Sequence, residues 1–420
     1  MSRQPVYVAG VGMTPFRKPN SYAWDYPDMV RESGRAALLD AGLDYTNNVQ
    51  AVVCSYCYGE PTCGQRGVYE LGHSGVPIFN VNNNCSSASS ALLLARYLIQ
   101  SGNFDCVMAV GFEKMESGLS KKFEDREDPV ELHFKRLEHL HNKGETLTPI
   151  IIRMFALAGR EYVQSHLDDC SFDDFAQIAV KSRQHGLANP NACFFGRPVP
   201  TVEKATSDRM ICDPITVHQS SLTADGSASA LLVSQSYLTN LTAEKRRRAV
   251  PILTQHMCTD LPSSFRDGYA ALCGYDMSKT AAQKCYSTLG LNPQSIDVAE
   301  VHDCFSINEL LMYQAMGFTP EGTAGAFHRK GKWVTNQNGG SVYRTGDSVV
   351  VNPSGGLLSK GHPIGATGLG QCHELVTQLR LEAGKRQVPN STLALQHNFG
   401  IGGAAVVTIY GTNGSGTAQL

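Results

Sequence analysis

Two short segments of this 420-residue sequence combine a reactive side chain with small neighbours that let backbones approach closely. The first is NNNCSSASSALLLARYL, in which Cys85 stands where an asparagine loop opens a helix. Unpaired N–H groups and the macrodipole at such a point stabilise a thiolate, which is how a thiol becomes a nucleophile at neutral pH. Ser86, Ser87, Ala88, Ser89 and Ser90 keep this helix narrow, as a buried central helix must be. A buried, inert cysteine after an asparagine cap is the alternative.

The second segment is GGLLSKGHPIGATG, Gly355 to Gly368, where closely spaced glycines surround His362. They allow a tight turn that points the imidazole outward. Brought together, Cys85 and His362 would form an activated nucleophile pair. A third segment, VHDCFSINE, sets His302, Asp303 and Cys304 between a strand and the helix NELLMYQAMGF. That pair of His302 and Cys304 suits an oxyanion donor and a general acid or base, while Asp303 suits a cap for the helix that follows. In QHNFGIGGA, Asn398 and Gly400 precede a glycine turn able to offer backbone N–H groups to an oxyanion.

The elements that must position these residues come twice. PVYVAGVGMT, MVRESGRAALLDAGL and VQAVVCSY read as strand, helix, strand. MSKTAAQKCYSTLGLNPQSIDVAEVHDCFS repeats the helix and strand, and runs into the His302 loop. The Cys85 segment and the His362 segment are likewise each a loop, a helix and then a strand. Such alternation predicts mainly parallel central strands with covering helices, and chemistry at the strand C-terminal ends. The expected divisions are 1–112 for most of the first half, 113–248 for an inserted unit with the return to the core, 249–411 for the second half, and a flexible tail, 412–420.

Composition narrows the function classes. With 42% apolar residues and a formal net charge of −2, the chain gives no electrostatic reason to expect nucleic acid or an anionic membrane as partner. No apolar run approaches the roughly 18 residues of a bilayer span, and the strand pattern starts by Val6, so a mature N-terminus is expected. Thirteen cysteines, an odd number, argue against a disulfide framework; Cys106 and Cys372 read as small core residues. Cys54, Cys57 and Cys63 lack a matching second pair, so no metal is expected there. His133, His139 and His141, among charged residues, read as a solvated helix face, and the run Glu244 to Arg248 as a solvated turn.

Taken together, the four segments resemble the active-site loops of the thiolases, over Pro5 to Gly411. Cys85-Ser86-Ser87 resembles the Cys-x-Ser nucleophile loop, and Gly361-His362-Pro363 the Gly-His-Pro loop. His302-Asp303-Cys304-Phe305 replaces the commoner Asn-Glu-Ala-Phe, and Asn398-Phe399-Gly400 replaces Cys-x-Gly. Both departures are similar to the sterol carrier protein type. The resemblance implies an α/β fold of two pseudo-symmetric βαβαβαββ halves in an αβαβα layered core, with an inserted loop domain. It implies cleavage of 3-oxoacyl-CoA by CoA, or the reverse Claisen condensation, through an acyl-Cys85 intermediate in lipid metabolism. On this reading His362 activates Cys85, Cys304 is the acid/base, and His302 with His362 binds one oxyanion. The backbone N–H groups of Cys85 and Gly400 bind the other, with Asn398 supporting that loop.

The resemblance further implies no metal and no permanently bound cofactor, with coenzyme A as co-substrate and acyl-CoA as substrate. Residues contacting CoA are not readable. A homodimer or homotetramer is implied, with no integral membrane association. A ketoacyl-synthase-like condensing enzyme and a non-catalytic acyl-CoA-binding protein are the alternatives; Cys304 speaks against the first. No sterol carrier domain is expected to follow the last strand. Ala418-Gln419-Leu420 resembles a peroxisomal or glycosomal address, with mitochondria as the alternative.

Overall fold

Five strands of the first half and five of the second pair in the same order, which makes the repeat seen in the sequence a structural one. The computed structural model describes residues 4–115, 125–140, 150–266 and 268–412. In chain order the strands are β1 Val6–Met13, β2 Ala51–Ser55, β3 Ile78–Val81, β4 Cys106–Glu113, β5 Met210–Cys212, β6 Ile215–Thr216 and β7 Gly226–Ser234. There follow β8 Val250–Cys258, β9 Val298–Glu300, β10 Lys332–Thr335, β11 Ser341–Thr345, β12 Val349–Val351, β13 Leu393–Gly400 and β14 Ala404–Gly411. The first half runs β3-β2-β4-β7-β1 across the sheet, and the second runs β12-β9-β13-β14-β8. Strands β1 and β8 join the halves through Tyr7 opposite Pro251 and Val8 opposite Val250.

The expectation of mainly parallel strands holds only in part. In each half the first two pairings are parallel and the last two antiparallel, so a single strand, β7 or β14, runs against the other four. The reason in the second half is the short turn Ile401 to Gly403, which can only return the chain antiparallel.

Helices fill the layers around these strands. Tyr26–Ala41 starts at a capping box of Asp25 and Asp28, with Pro27 in its first turn, and stops at Gly42, whose φ is +69°. It lies directly on β1, because a Cβ on Gly10 would sit 2.2 Å from the Ala37 carbonyl. Between the two halves lie Ser87–Gln100 and Thr367–Leu379, the helices that follow Cys85 and His362. Leu92, Ile99, Leu369, Leu375 and Val376 are fully buried there with Val53 and Val107 from one half and Val298 and Ala394 from the other. Each such Leu, Ile or Val side chain contributes about 1.5–3 kcal/mol. Tyr26–Ala41 covers the outer face of the first half and Tyr275–Leu289 that of the second, which completes five layers.

Two surface expectations need correction. His133 is buried against Phe265 and lies 3.4 Å from Asp260, because its helix packs inward there; His139 is exposed, and His141 lies outside the described residues. The basic run is a short helix, Ala243–Arg248, in which Arg248 bridges Asp40 and Glu382 and so ties the two halves together. Among the described residues no helix is long and apolar enough to cross a membrane.

Candidate functional site

Cys85 stands on a turn that its neighbours hold rigidly. Asn84 occupies the left-handed region at φ +51°, which asparagine tolerates better than most residues. Its side-chain amide donates to the Ile401 carbonyl at 3.1 Å. Ser87 Oγ accepts from the Asn83 N–H at 2.8 Å and donates to the Asn84 carbonyl at 2.6 Å. Gly400 backs the turn so closely that a Cβ there would sit 2.3 Å from the Asn83 carbonyl. The regular helix begins only at Ser87.

His362 enters from the second half. Gly361 has φ +101°, and a Cβ on it would meet Cys193 Sγ at 2.7 Å, so the turn that aims the histidine requires glycine. Backbone N–H of His362 donates to the Leu222 carbonyl at 2.8 Å. The Nδ1 atom lies 2.6 Å from Thr367 Oγ1, whose hydroxyl donates to the Pro363 carbonyl at 3.0 Å. With that hydrogen on the Pro363 carbonyl, Thr367 Oγ1 accepts from His362 Nδ1–H, the tautomer that leaves Nε2 bare; the opposite turn of the hydroxyl would put the proton on Nε2. The bare Nε2 is buried without a hydrogen-bond partner.

Beyond β9, His302 and Cys304 share one loop. The expected cap, Asp303, does not hold the N-terminal position of the helix that follows; Phe305 does. Instead its buried carboxylate accepts from Leu357 N–H at 2.7 Å and Leu358 N–H at 3.4 Å, at the start of helix Gly356–Lys360. That bond ties the His302 loop to the His362 loop. The returning chain at Ser220–Thr223 stitches both, through Ser221 N–H to the Cys304 carbonyl at 2.8 Å and through the Leu222 carbonyl already noted. On its other side His302 meets Asn398, whose Nδ2 lies 3.2 Å from His302 Nδ1.

These loops converge on one point. Cys85, His302 and His362 each bring a ligand atom within 4.8 Å of the other two, and the two imidazoles meet edge to face at 5.1 Å. Burial pushes the Cys85 thiol up to about 12, with Glu113 adding to the rise, and pushes His362 down to about 3. The resting pair is therefore a thiol beside a neutral imidazole. This corrects the expected helix-stabilised thiolate: the regular helix starts two residues later, and desolvation outweighs the nearby N–H groups. Cys304 is half-buried; burial holds its thiol well above the ordinary value, and the neighbouring Cys85 raises it further. A thiol kept protonated is a proton donor.

Three contributors escaped the sequence reading. Thr367, in the His362 segment, was open to inspection as its nearest hydroxyl. Glu113, at the end of the apolar strand VMAVGFE, accepts from Cys57 and Tyr58 N–H at 3.0 Å and from Gly365 N–H at 2.9 Å. Desolvation pushes its carboxyl up to about 7. The segment Ser220–Thr223 carries no sequence signal at all. By residue type the Cys85, His302 and His362 set also has the makings of a metal site.

Two family models match the chain: the thiolase N-terminal domain over residues 6–236 and a thiolase C-terminal domain-like model over residues 270–412. Sterol carrier protein 2 of Oryctolagus cuniculus is 49% identical over 410 residues, which is 96% of this chain and 71% of that protein. An acetyl-CoA acetyltransferase of Methanothermobacter thermautotrophicus is 29% identical, over 96% of this chain and 99% of its own. Among solved structures, the Ltp2-ChsH2(DUF35) aldolase aligns with a TM-score of 0.77 at 21% identity, covering 98% of this chain and 99% of that one. At that identity the likeness concerns the fold.

Proposed function

The chain belongs to the thiolase family, with relatives of the sterol carrier protein type, and from that premise we propose that it is an acyltransferase cleaving 3-oxoacyl-CoA with CoA. The products are acetyl-CoA or propionyl-CoA and a shortened acyl-CoA. One observation carries the reading: a buried, unpartnered Nε2 on His362, a residue that shares the 4.8 Å set with the Cys85 thiol.

Cys85 Sγ attacks the 3-oxo carbon while His362 Nε2 takes its proton. His302 and the now protonated His362 donate to one oxyanion; the backbone N–H groups of Cys85 and Gly400 serve the other. The bond between C2 and C3 breaks, and the departing acetyl-CoA enolate takes the Cys304 proton. Incoming CoA returns a proton to Cys304 and attacks the acyl group. Cys85 leaves as thiolate and recovers its proton from His362. No electron acceptor enters the balance. Cys304 favours this reading over a condensing synthase, since both half-reactions use a second acid/base.

The same reading makes residues 113–248 an inserted unit carrying most CoA contacts, and the assembly a homodimer or homotetramer. It places the enzyme in fatty-acid β-oxidation in a peroxisomal matrix; Ala418-Gln419-Leu420 lies outside the described residues. Thiolysis of acetoacetyl-CoA by CoA, followed at the enolate absorbance, tests the activity, and mass spectrometry of the quenched enzyme tests the intermediate. The expected adduct is acetyl on Cys85. Turnover persisting in Cys85→Ala, or an acetyl group on another cysteine, overturns the assignment.

A further inference from the structure

Asn398 sits at the end of a hydrogen-bond chain whose direction is set far from the cluster. Gln396 Nε2 lies 2.8 Å from the Gly368 carbonyl, which can only accept, and Gln396 Oε1 takes the Tyr410 hydroxyl at 2.6 Å. The glutamine amide thus has one orientation. Its second N–H donates to Ser89 Oγ at 2.8 Å, so Ser89 must spend its own hydrogen on Asn398 Oδ1 at 2.9 Å. The Asn398 amide is thereby fixed as well, with Nδ2–H facing His302 Nδ1 at 3.2 Å. Every member is buried. Placing the His302 proton on Nδ1 would set two donors against each other, at a cost of about 1–3 kcal/mol for a buried unsatisfied group.

We propose that Asn398 is a positioning residue which locks the His302 proton on Nε2, and so keeps Cys85, His302 and His362 a proton-transfer site instead of a metal centre. A tetrahedral zinc site with bonds of about 2.0–2.3 Å needs three bare ligand atoms, and these three side chains already stand within 4.8 Å of one another. His362 Nε2 is bare. Cys85 can lose its proton to a metal. His302 alone is barred: Asn398 occupies Nδ1, so the nitrogen left to ligate is Nε2, and that one carries the hydrogen. In metal proteins that partner position holds an acceptor, a carboxylate or a carbonyl, which draws the proton to the far nitrogen and frees the near one. Asn398 presents the opposite polarity. The role of His302 as an oxyanion donor rests on the proposed function; the location of its proton does not.

Two measurements on the full chain decide it. Nitrogen-15 spectra of histidine-labelled protein, with the His302 signals assigned by their loss in His302→Gln, are expected to show the Nε2–H form. A His302 proton on Nδ1 overturns the proposal. Calorimetric titration with Zn²⁺ is expected to show Asn398→Asp binding at least about 10–100-fold more tightly than wild type. The gain is expected to vanish when Cys85→Ser is added. Equal affinity in wild type and Asn398→Asp also overturns the idea. Should Asn398→Asp not fold, Ser89→Ala releases the amide to flip, and both tautomers are expected in its spectrum; a spectrum unchanged from wild type counts against the chain. Loss of thiolysis in the wild type with these two results intact would instead remove the functional reading and leave the proton lock standing.

Discussion

His362 Nδ1 lies 2.6 Å from Thr367 Oγ1, and this single bond decides which nitrogen of the catalytic candidate is free to take a proton. Thr367→Val removes the acceptor while keeping the shape. A buried N–H without a partner costs about 1–3 kcal/mol, so the proton moves to Nε2 in part of the population. The expected result is a fall of roughly 10- to 100-fold in kcat, with KM little changed. Thr367→Ser is expected to restore most of the rate. A Thr367→Val enzyme with normal kcat would show that the bond is structural only.

The protonation state of the free pair has a direct pH signature. Burial raises the Cys85 thiol to about 12 and lowers His362 to about 3, so between those values the pair stays neutral. Thiolate is then scarce at pH 7 and grows about tenfold per pH unit. Alkylation of Cys85 by iodoacetamide, read by mass spectrometry from pH 6 to 10, is expected to climb throughout. A rate already level at pH 7 would mean a standing thiolate–imidazolium pair and a wrong sign for the burial argument.

Cys304 separates an acid/base thiol from a packed spectator. Its loss in Cys304→Ala is expected to cost about 10² to 10⁴ in thiolysis rate, the range of a positioned proton donor. Substrate affinity is expected to change little, and the thermal melt to stay close to wild type. Near-normal turnover in both Cys304→Ala and Cys304→Ser, at neutral pH, would leave the acid/base unassigned.

Glu113 links pH to stability through the two loops it holds. Its carboxyl is raised from 4.5 to about 7 by burial, so the folded state binds this proton more tightly than the unfolded chain does. The sign follows: the favourable contribution is complete below about 4.5 and is lost as pH rises towards about 7. At about 1.4 kcal/mol per pH unit the loss is on the order of 3–4 kcal/mol across the whole window. Melting temperature is expected to drop between pH 5 and pH 8 in wild type, and to drop less in Glu113→Gln, whose pH 5 stability is itself reduced because an amide N–H₂ faces one backbone donor. Parallel melting curves for the two proteins would refute this account.

Residue order alone made several features of this protein legible. The doubled halves were readable because a 3.6-residue helix period and short apolar strands are local patterns, repeated at matching intervals. Cys85, His302, Cys304 and His362 were readable because each lies in a short segment whose small neighbours announce a tight turn. What the tertiary structure decided is protonation and aim. The Thr367 hydroxyl, the Gln396-Ser89-Asn398 chain and the Glu113 carboxylate act through hydrogen bonds, three of which span 252 to 309 positions in the chain. The thiol that a helix start was expected to ionise is instead kept protonated by burial, and His133, expected on a solvated face, is enclosed. Desolvation depends on how much protein surrounds a group in three dimensions, and no local window of sequence contains that quantity.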